Sequence, residues 1–242
     1  MLPRFLRRLG AVLIDGPRVW VLAPIIPLIA ILPEFAQHIV EISLGMFESE
    51  ERFKELGMDP LRWAFAIPKL TGYLLAILAT ARFWTNLREG LPWWSTKSIG
   101  WRVLGLAFLA NVVLVLAMEG VDYALADAGD IVKQGVTLIV TIATLPIAVW
   151  LIAGLLGDKD ASLMSVYKSG WGAALRIAAF SAVILIPLMW LHEMNHQWAF
   201  GQPAGIVWAL MVFDSLLVGL LATGWGTAIH HGYRKLAEPI EG

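Results

Sequence analysis

Residues 205–230, GIVWALMVFDSLLVGLLATGWGTAIH, hold a single ionisable side chain, Asp214, before the closing His230. As a helix this run rises about 39 Å at 1.5 Å per residue, more than the ~30 Å of bilayer hydrocarbon. Barrel strands alternate in polarity every second residue, and this run does not. It reads as a transmembrane helix. Five further runs read alike, at residues 19–44, 63–84, 98–118, 131–156 and 171–191.

The rest of the chain agrees. Of 242 residues, 58% are hydrophobic, and the mean hydropathy of +0.70 lies far outside the soluble range. The six runs leave no room for a separate soluble domain, so residues 1–242 read as a single membrane domain. The expected fold class is an all-α integral membrane protein with six transmembrane helices. There is no cysteine, which excludes disulfides, cysteine–zinc sites and thiol catalysis.

Charge gives the orientation. Arg4, Arg7, Arg8, Arg18, Arg82, Arg88, Lys97, Arg102, Lys159, Lys168, Arg176, Arg234 and Lys235 fall on one side, 13 of the 18 basic residues. Glu41, Glu48, Glu50, Glu51, Glu55, Asp59, Glu119, Asp122, Asp127, Asp130 and Glu193 fall on the other. The positive-inside rule then puts both termini in the cytoplasm, N-in/C-in. The basic face suits anionic lipid headgroups, and nothing calls for nucleic acid.

Residues 1–18 place Arg4, Arg7 and Arg8 around Phe5, Leu6, Leu9, Val12 and Leu13, predicting an amphipathic interfacial helix that Asp15-Gly16-Pro17 ends. The start is basic like a signal peptide, but its apolar run is short and no cleavage site follows, so it is expected to be retained. Pro24, Pro27 and Pro33 predict a kinked or partly unwound first span. The acidic outer loop, 45–62, contains FESEERFKELG, read as a short helix closed by Gly57. Trp93 and Trp94 follow Pro92 as an interfacial anchor, and most of the 12 tryptophans, Trp20 and Trp84 among them, sit near span ends as an aromatic belt. Lys97-Ser98-Ile99-Gly100-Trp101 and Lys168-Ser169-Gly170-Trp171 open two spans with the same signal.

Two segments, TARFWTNLREG (80–90) and GDKDASLMSVYKSGWGAALR (157–176), resemble those of uncharacterised bacterial six-helix inner-membrane proteins of YciC-like layout. The likeness covers about half the chain. It implies a multi-pass protein of the bacterial inner (cytoplasmic) membrane and transfers no functional residue.

Two sets of residues can carry chemistry. The first is His192-Glu193-Met194-Asn195-His196, an H-E-x-x-H pattern at the outer end of span 5. On a helix the two histidines share a face and can bind one zinc, with Glu193 as general base for its water. Glu34 and His38 in span 1 are also four apart, and with His192 and His196 they can close a four-ligand site. Zinc is the one cofactor this pattern would take; no other is expected. The second set is ionisable groups within spans: Lys69 beside Pro68, Asp214 near the middle of span 6, and Glu34. Such groups face the bundle interior and find partners; Lys69 can reach Glu34 or Asp214. His230 and His231 read as a helix C-terminal cap that meets lipid phosphates.

The reading these features favour is a non-catalytic bundle, acting as an accessory, assembly or scaffold subunit or in contact with lipid. Its partners would be membrane lipids and other membrane subunits or further copies of itself. Two rivals stand beside it: a small transporter using Lys69, Asp214 and Glu34, and an outer-face zinc hydrolase using the HEMNH motif.

Overall fold

The computed structural model describes residues 2–126 and 128–234. Asp127 and Lys235, counted above among the outer acids and inner bases, lie outside the described residues. Nine α-helices and no strand occur among the described residues: α1 (Leu2–Leu22), α2 (Ile25–Ser43), α3 (Glu50–Glu55), α4 (Pro60–Arg88), α5 (Trp101–Ala124), α6 (Asp130–Leu155), α7 (Leu163–Ser169), α8 (Trp171–Ala199) and α9 (Ala204–Tyr233). Six of them, α2, α4, α5, α6, α8 and α9, are long and apolar enough to cross a membrane. The chain thus has the make-up of a multi-pass membrane protein.

The helices form two compact units. The first takes α1 to α4, α8 from residue 179 onward, and α9 to residue 231. Its helix starts follow local chemistry. Asp59 accepts from the backbone N–H groups of Leu61 (2.8 Å) and Arg62 (3.4 Å), and Pro60 opens α4. Ser49 caps α3 by accepting from the Arg52 N–H at 3.2 Å. The acidic loop is a 3₁₀ turn (Met46–Glu48), then α3, then a second 3₁₀ turn (Leu56–Met58). The helix thus ends at Glu55, and Gly57 lies within the turn that follows rather than closing it.

The N-terminal helix departs from expectation in where it ends. α1 runs unbroken through Asp15-Gly16-Pro17 to Leu22. Asp15 is the reason: its carboxylate accepts from Arg18 (2.9 Å) and lies 3.0 Å from His231 Nε2. This tertiary pairing outweighs the local breaker. The interruption comes at Ala23-Pro24 instead. Pro27 has no N–H to offer the Ala23 carbonyl, which accepts from Ile26 N at 2.9 Å. α1 is also no surface helix along its whole length. Val12 is buried with Phe180, Ile184 and Ala228, and Arg8, expected at the lipid interface, is 1% exposed. Its guanidinium donates to the His231 carbonyl at 3.4 Å, in the last turn of α9. Arg4 and Arg7 are exposed as expected.

Two glycines bring the site-bearing helices together. A Cβ on Gly72 of α4 would strike the Ile29 carbonyl of α2, and one on Gly226 of α9 would strike the Ile77 carbonyl of α4. Only hydrogen fits at either crossing. Trp84, read as part of the aromatic belt, is instead buried and donates its indole N–H to Thr227 at 2.8 Å. Trp20 donates to Thr223 at 3.2 Å. Both are internal struts between helices. Trp93 is half-buried and Trp94 exposed, with the Trp93 carbonyl accepting from Asn86 at 2.9 Å.

The second unit is built on α5, α6 and α7. Val103 and Ala107 pack with Val149, Trp150, Val166, Ala173 and Ala174. Ser162 and Ser165 form a reciprocal capping box at the start of α7. Trp101 and Trp171 are the first residues of α5 and α8. α5 buries only Val103 and Ala107 and leaves Leu106, Phe108, Val113 and Leu116 exposed, a surface suited to lipid tails.

Candidate functional site

The outer loop of the sequence reading caps one end of the first unit, and beneath that cap four helices converge their ionisable side chains. α2 contributes Glu34, Gln37, His38 and Glu41. The spacing of three, four and seven residues lines them along one face, and all four are buried to 1% exposure or less. α4 contributes Arg62 and Lys69, α8 contributes His192, Asn195 and His196, and α9 contributes Asp214.

Asp214 is the hub. Fully buried, it lies with Oδ2 3.0 Å from His38 Nε2 and 3.4 Å from His196 Nε2. Its Oδ1 lies 2.9 Å from His192 Nδ1 and accepts from Asn195 Nδ2 at 3.2 Å. Asn195 also donates to the Leu210 carbonyl at 2.7 Å, which ties α8 to α9. His38 is the second node. Its Nδ1 lies 2.9 Å from Glu41 Oε2, and its Nε2 also lies 3.2 Å from Glu34 Oε1. Glu34 Oε1 lies 2.7 Å from Lys69 Nζ. Glu41 Oε1 accepts from Gln37 (3.0 Å) and Arg62 (3.0 Å). One connected network therefore runs from Arg62 through Glu41, His38 and Asp214 to His192 and His196, with Glu34 and Lys69 as a branch.

The sequence analysis held two separate candidates, and the fold merges them. The proposed Lys69–Glu34 pair forms. His38, His192 and His196 meet as required for the His-rich site, but their shared carboxylate is Asp214. Asp214 lies about 15 Å from the start of α9, about a third of the way along it. α8 continues to Ala199 without a break, so the HEMNH segment is fully helical and the His192 and His196 rings lie 4.8 Å apart. Glu193 is turned about 100° away from His192 and is exposed. It makes no hydrogen bond or ion pair with the network, so the arrangement does not present it as a base beside the histidines.

The cap closes over His196. Phe47 and Phe53 approach its ring at 6.0 and 5.8 Å, and the Phe47 carbonyl accepts from Gly201 N at 2.9 Å. The His192 and His196 side chains are each 16% exposed, which leaves a narrow approach beside the cap. On the cap itself, Glu50 accepts from Lys54 and raises that ammonium's pKa, while the backbone N–H of Glu51 lowers the pKa of its own carboxyl.

The balance of donors and acceptors is uneven. Three carboxylates, Glu34, Glu41 and Asp214, face two permanent cations, Lys69 and Arg62. Gln37 Oε1 and Asn195 Oδ1 are buried without a hydrogen-bond partner among the described residues. Buried polar atoms in native proteins nearly always find partners, and these two acceptors lie on the same faces of α2 and α8 as the histidines.

Sequence reasoning missed Gln37, Glu41, Arg62 and Asn195. Glu41 had been counted only among the acids of the outer side. Helical spacing from His38 was the available signal, since 34, 37, 38 and 41 share one face. At the opposite end of the same unit His230 and His231 are buried rather than facing phosphates. His231 pairs with Asp15, and His230 Nδ1 lies 3.3 Å from Thr85 Oγ1.

No protein-family model, curated protein or solved structure matches this chain.

Proposed function

We propose that the chain is a cation carrier of the bacterial inner membrane, N-in/C-in, that binds its ion at the Asp214 centre on the outer side. This is the transporter reading of the sequence, with its residues extended from Lys69, Asp214 and Glu34 to the three histidines. The observation that carries it is Asp214: a fully buried carboxylate in a span, shared by His38, His192 and His196 from two other spans. A bundle that serves only to hold its own helices gains little from this. Buried ion pairs roughly break even against apolar packing of equal volume, and intramembrane ionisable groups most often mark ion pathways. Pro33, Pro68 and Pro187 lie inside α2, α4 and α8, where each removes one backbone hydrogen bond and gives a continuous span a point at which to bend.

Uptake into proteoliposomes, measured across a panel of monovalent and divalent cations, tests the proposal. At least one cation should enter, and Asp214→Asn should cut its initial rate by tenfold or more. Equal rates in wild type and variant would remove the carrier reading.

The accessory-subunit reading keeps one observation of its own, the sparsely buried apolar surface of α5. That surface serves lipid tails or a second membrane subunit, while exposed Arg4 and Arg7 offer contacts to anionic headgroups. Co-purification in mild detergent separates these: a stoichiometric partner or second copy supports the subunit, and a protein that runs alone leaves α5 to lipid.

A further inference from the structure

We infer that the ion is a divalent transition metal of the zinc class, bound by His38 Nε2, His196 Nε2 and a carboxylate oxygen of Asp214. This deepens the carrier reading and rests on it for the biological use of the site, while the binding itself is testable alone.

The three ligand atoms lie within 4.8 Å of one another. A tetrahedral ion with bonds of about 2.0–2.1 Å requires ligand atoms about 3.3 Å apart. The two edges that meet at Asp214 Oδ2, 3.0 Å to His38 and 3.4 Å to His196, already bracket that value. The remaining edge, between His38 Nε2 and His196 Nε2, spans up to 4.8 Å and must shorten as an ion enters. His192 Nδ1, 2.9 Å from the other Asp214 oxygen, either orients that carboxylate or supplies the fourth bond.

The surroundings of His38 carry the argument further. A metal-binding imidazole typically gives its remaining N–H to a carboxylate, which fixes the tautomer and aims the free lone pair at the ion. His38 Nδ1 meets Glu41 in this way, and Gln37 and Arg62 hold Glu41 in turn. The acceptor oxygens of Asn195 and Gln37, both residues buried to 1% or less, have no donor, and the three carboxylates outnumber the two permanent cations Lys69 and Arg62.

Ligand chemistry selects the ion. Two or three imidazoles with one carboxylate suit Zn²⁺, Co²⁺ and Ni²⁺. Mg²⁺ and Ca²⁺ call for six or more oxygen ligands, and the chain has no thiolate to favour Cu(I). The site draws on the histidines of the HEMNH segment without its glutamate, since Glu193 is exposed on another face of α8.

The test is titration of chelator-stripped protein in detergent with ZnCl₂ by calorimetry, and with CoCl₂ by visible absorption. One equivalent of Zn²⁺ should bind, Co²⁺ should give the intense bands of tetrahedral coordination, and millimolar Mg²⁺ or Ca²⁺ should not compete. His196→Ala and Asp214→Asn should each weaken binding at least a hundredfold. Glu41→Gln leaves every ligand in place and should weaken it ten- to a hundredfold with the Co²⁺ bands retained; it decides the matter if the other two fail to fold. No binding, competition by Mg²⁺, or equal affinity in Glu41→Gln and any folded ligand variant would overturn the inference. If Zn²⁺ fails to bind yet uptake of another cation depends on Asp214, the metal assignment falls and the carrier stands. If Zn²⁺ binds at these residues and no cation is taken up, the reverse holds.

Discussion

The first unit has buried charge at both of its ends, and the two ends are built on different rules. At the uncapped end the pairing is close to one to one. Asp15 accepts from Arg18 and meets His231, Trp84 donates to Thr227, Trp20 to Thr223, and Arg82 donates to Asn86 at 2.6 Å. At the capped end one carboxylate serves three histidines, one histidine faces three carboxylates, and the amide oxygens of Gln37 and Asn195 stay unpartnered. A closed set of pairs stabilises a fold and asks for nothing more. An over-subscribed set holds repulsion and unmet hydrogen bonds that only a further positive charge resolves. The contrast separates strut from site more sharply than the presence of charge alone.

The widest separation should come from exchanging the two acids. Asp214→Asn is expected to abolish ion binding, while Asp15→Asn leaves affinity within twofold and instead lowers stability. Its loss follows from a broken buried pair, about 3 kcal/mol at the lower end of such cases. Metal affinity and thermal unfolding, measured on both variants, check this. If Asp15→Asn removed binding as well, the two ends would be parts of one site. Thr227→Val sharpens the same contrast on a smaller scale. It strands the buried Trp84 N–H and should cost about 1–3 kcal/mol of stability with binding unchanged. Gly226→Ala lies between the two kinds of effect. The added methyl meets the α4 backbone at Ile77 and should cost about 1–3 kcal/mol. By pushing α4 from α9 it should also raise the apparent dissociation constant a few-fold, since the α9 hub moves relative to Lys69 and Arg62.

The helical elements were legible because each span carries its own signal: length, apolarity and a polar or aromatic boundary. The break before α2 was legible too, since Pro24 and Pro27 announce it. The continuation of α1 through Asp15-Gly16-Pro17 was not. The stabilising partner of Asp15 is His231, 216 residues away, and no local pattern encodes that. The site was legible in pieces. Lys69, Asp214 and Glu34 stood out as ionisable residues in apolar runs, and His192 with His196, like Glu34 with His38, by their spacing of four. Their union depends on which faces of α2, α8 and α9 meet, which is decided by close approaches such as that of Gly219 on α9 to Ile31 on α2. Glu41 and Arg62 escaped because a charge near a span end looks the same whether it faces water or turns under a cap.

The smallest expected effect is the most discriminating for chemistry. Glu193 stands inside the one motif that suggests an enzyme, yet it is exposed on a face of α8 away from Asp214. Glu193→Gln should leave Zn²⁺ affinity, Co²⁺ spectrum and uptake rate unchanged within error. Lys54→Gln, on the solvent face of the cap, should do the same and serves as its matched surface control. A hydrolase would behave otherwise. Its glutamate would take a proton from a metal-bound water, and removing it would abolish turnover while leaving the metal in place. If Glu193→Gln altered the spectrum of bound Co²⁺ when Lys54→Gln did not, the glutamate would have to reach the ion. The helix would then have to rotate or unwind near His192, and the capped end would be a reaction centre rather than a binding one.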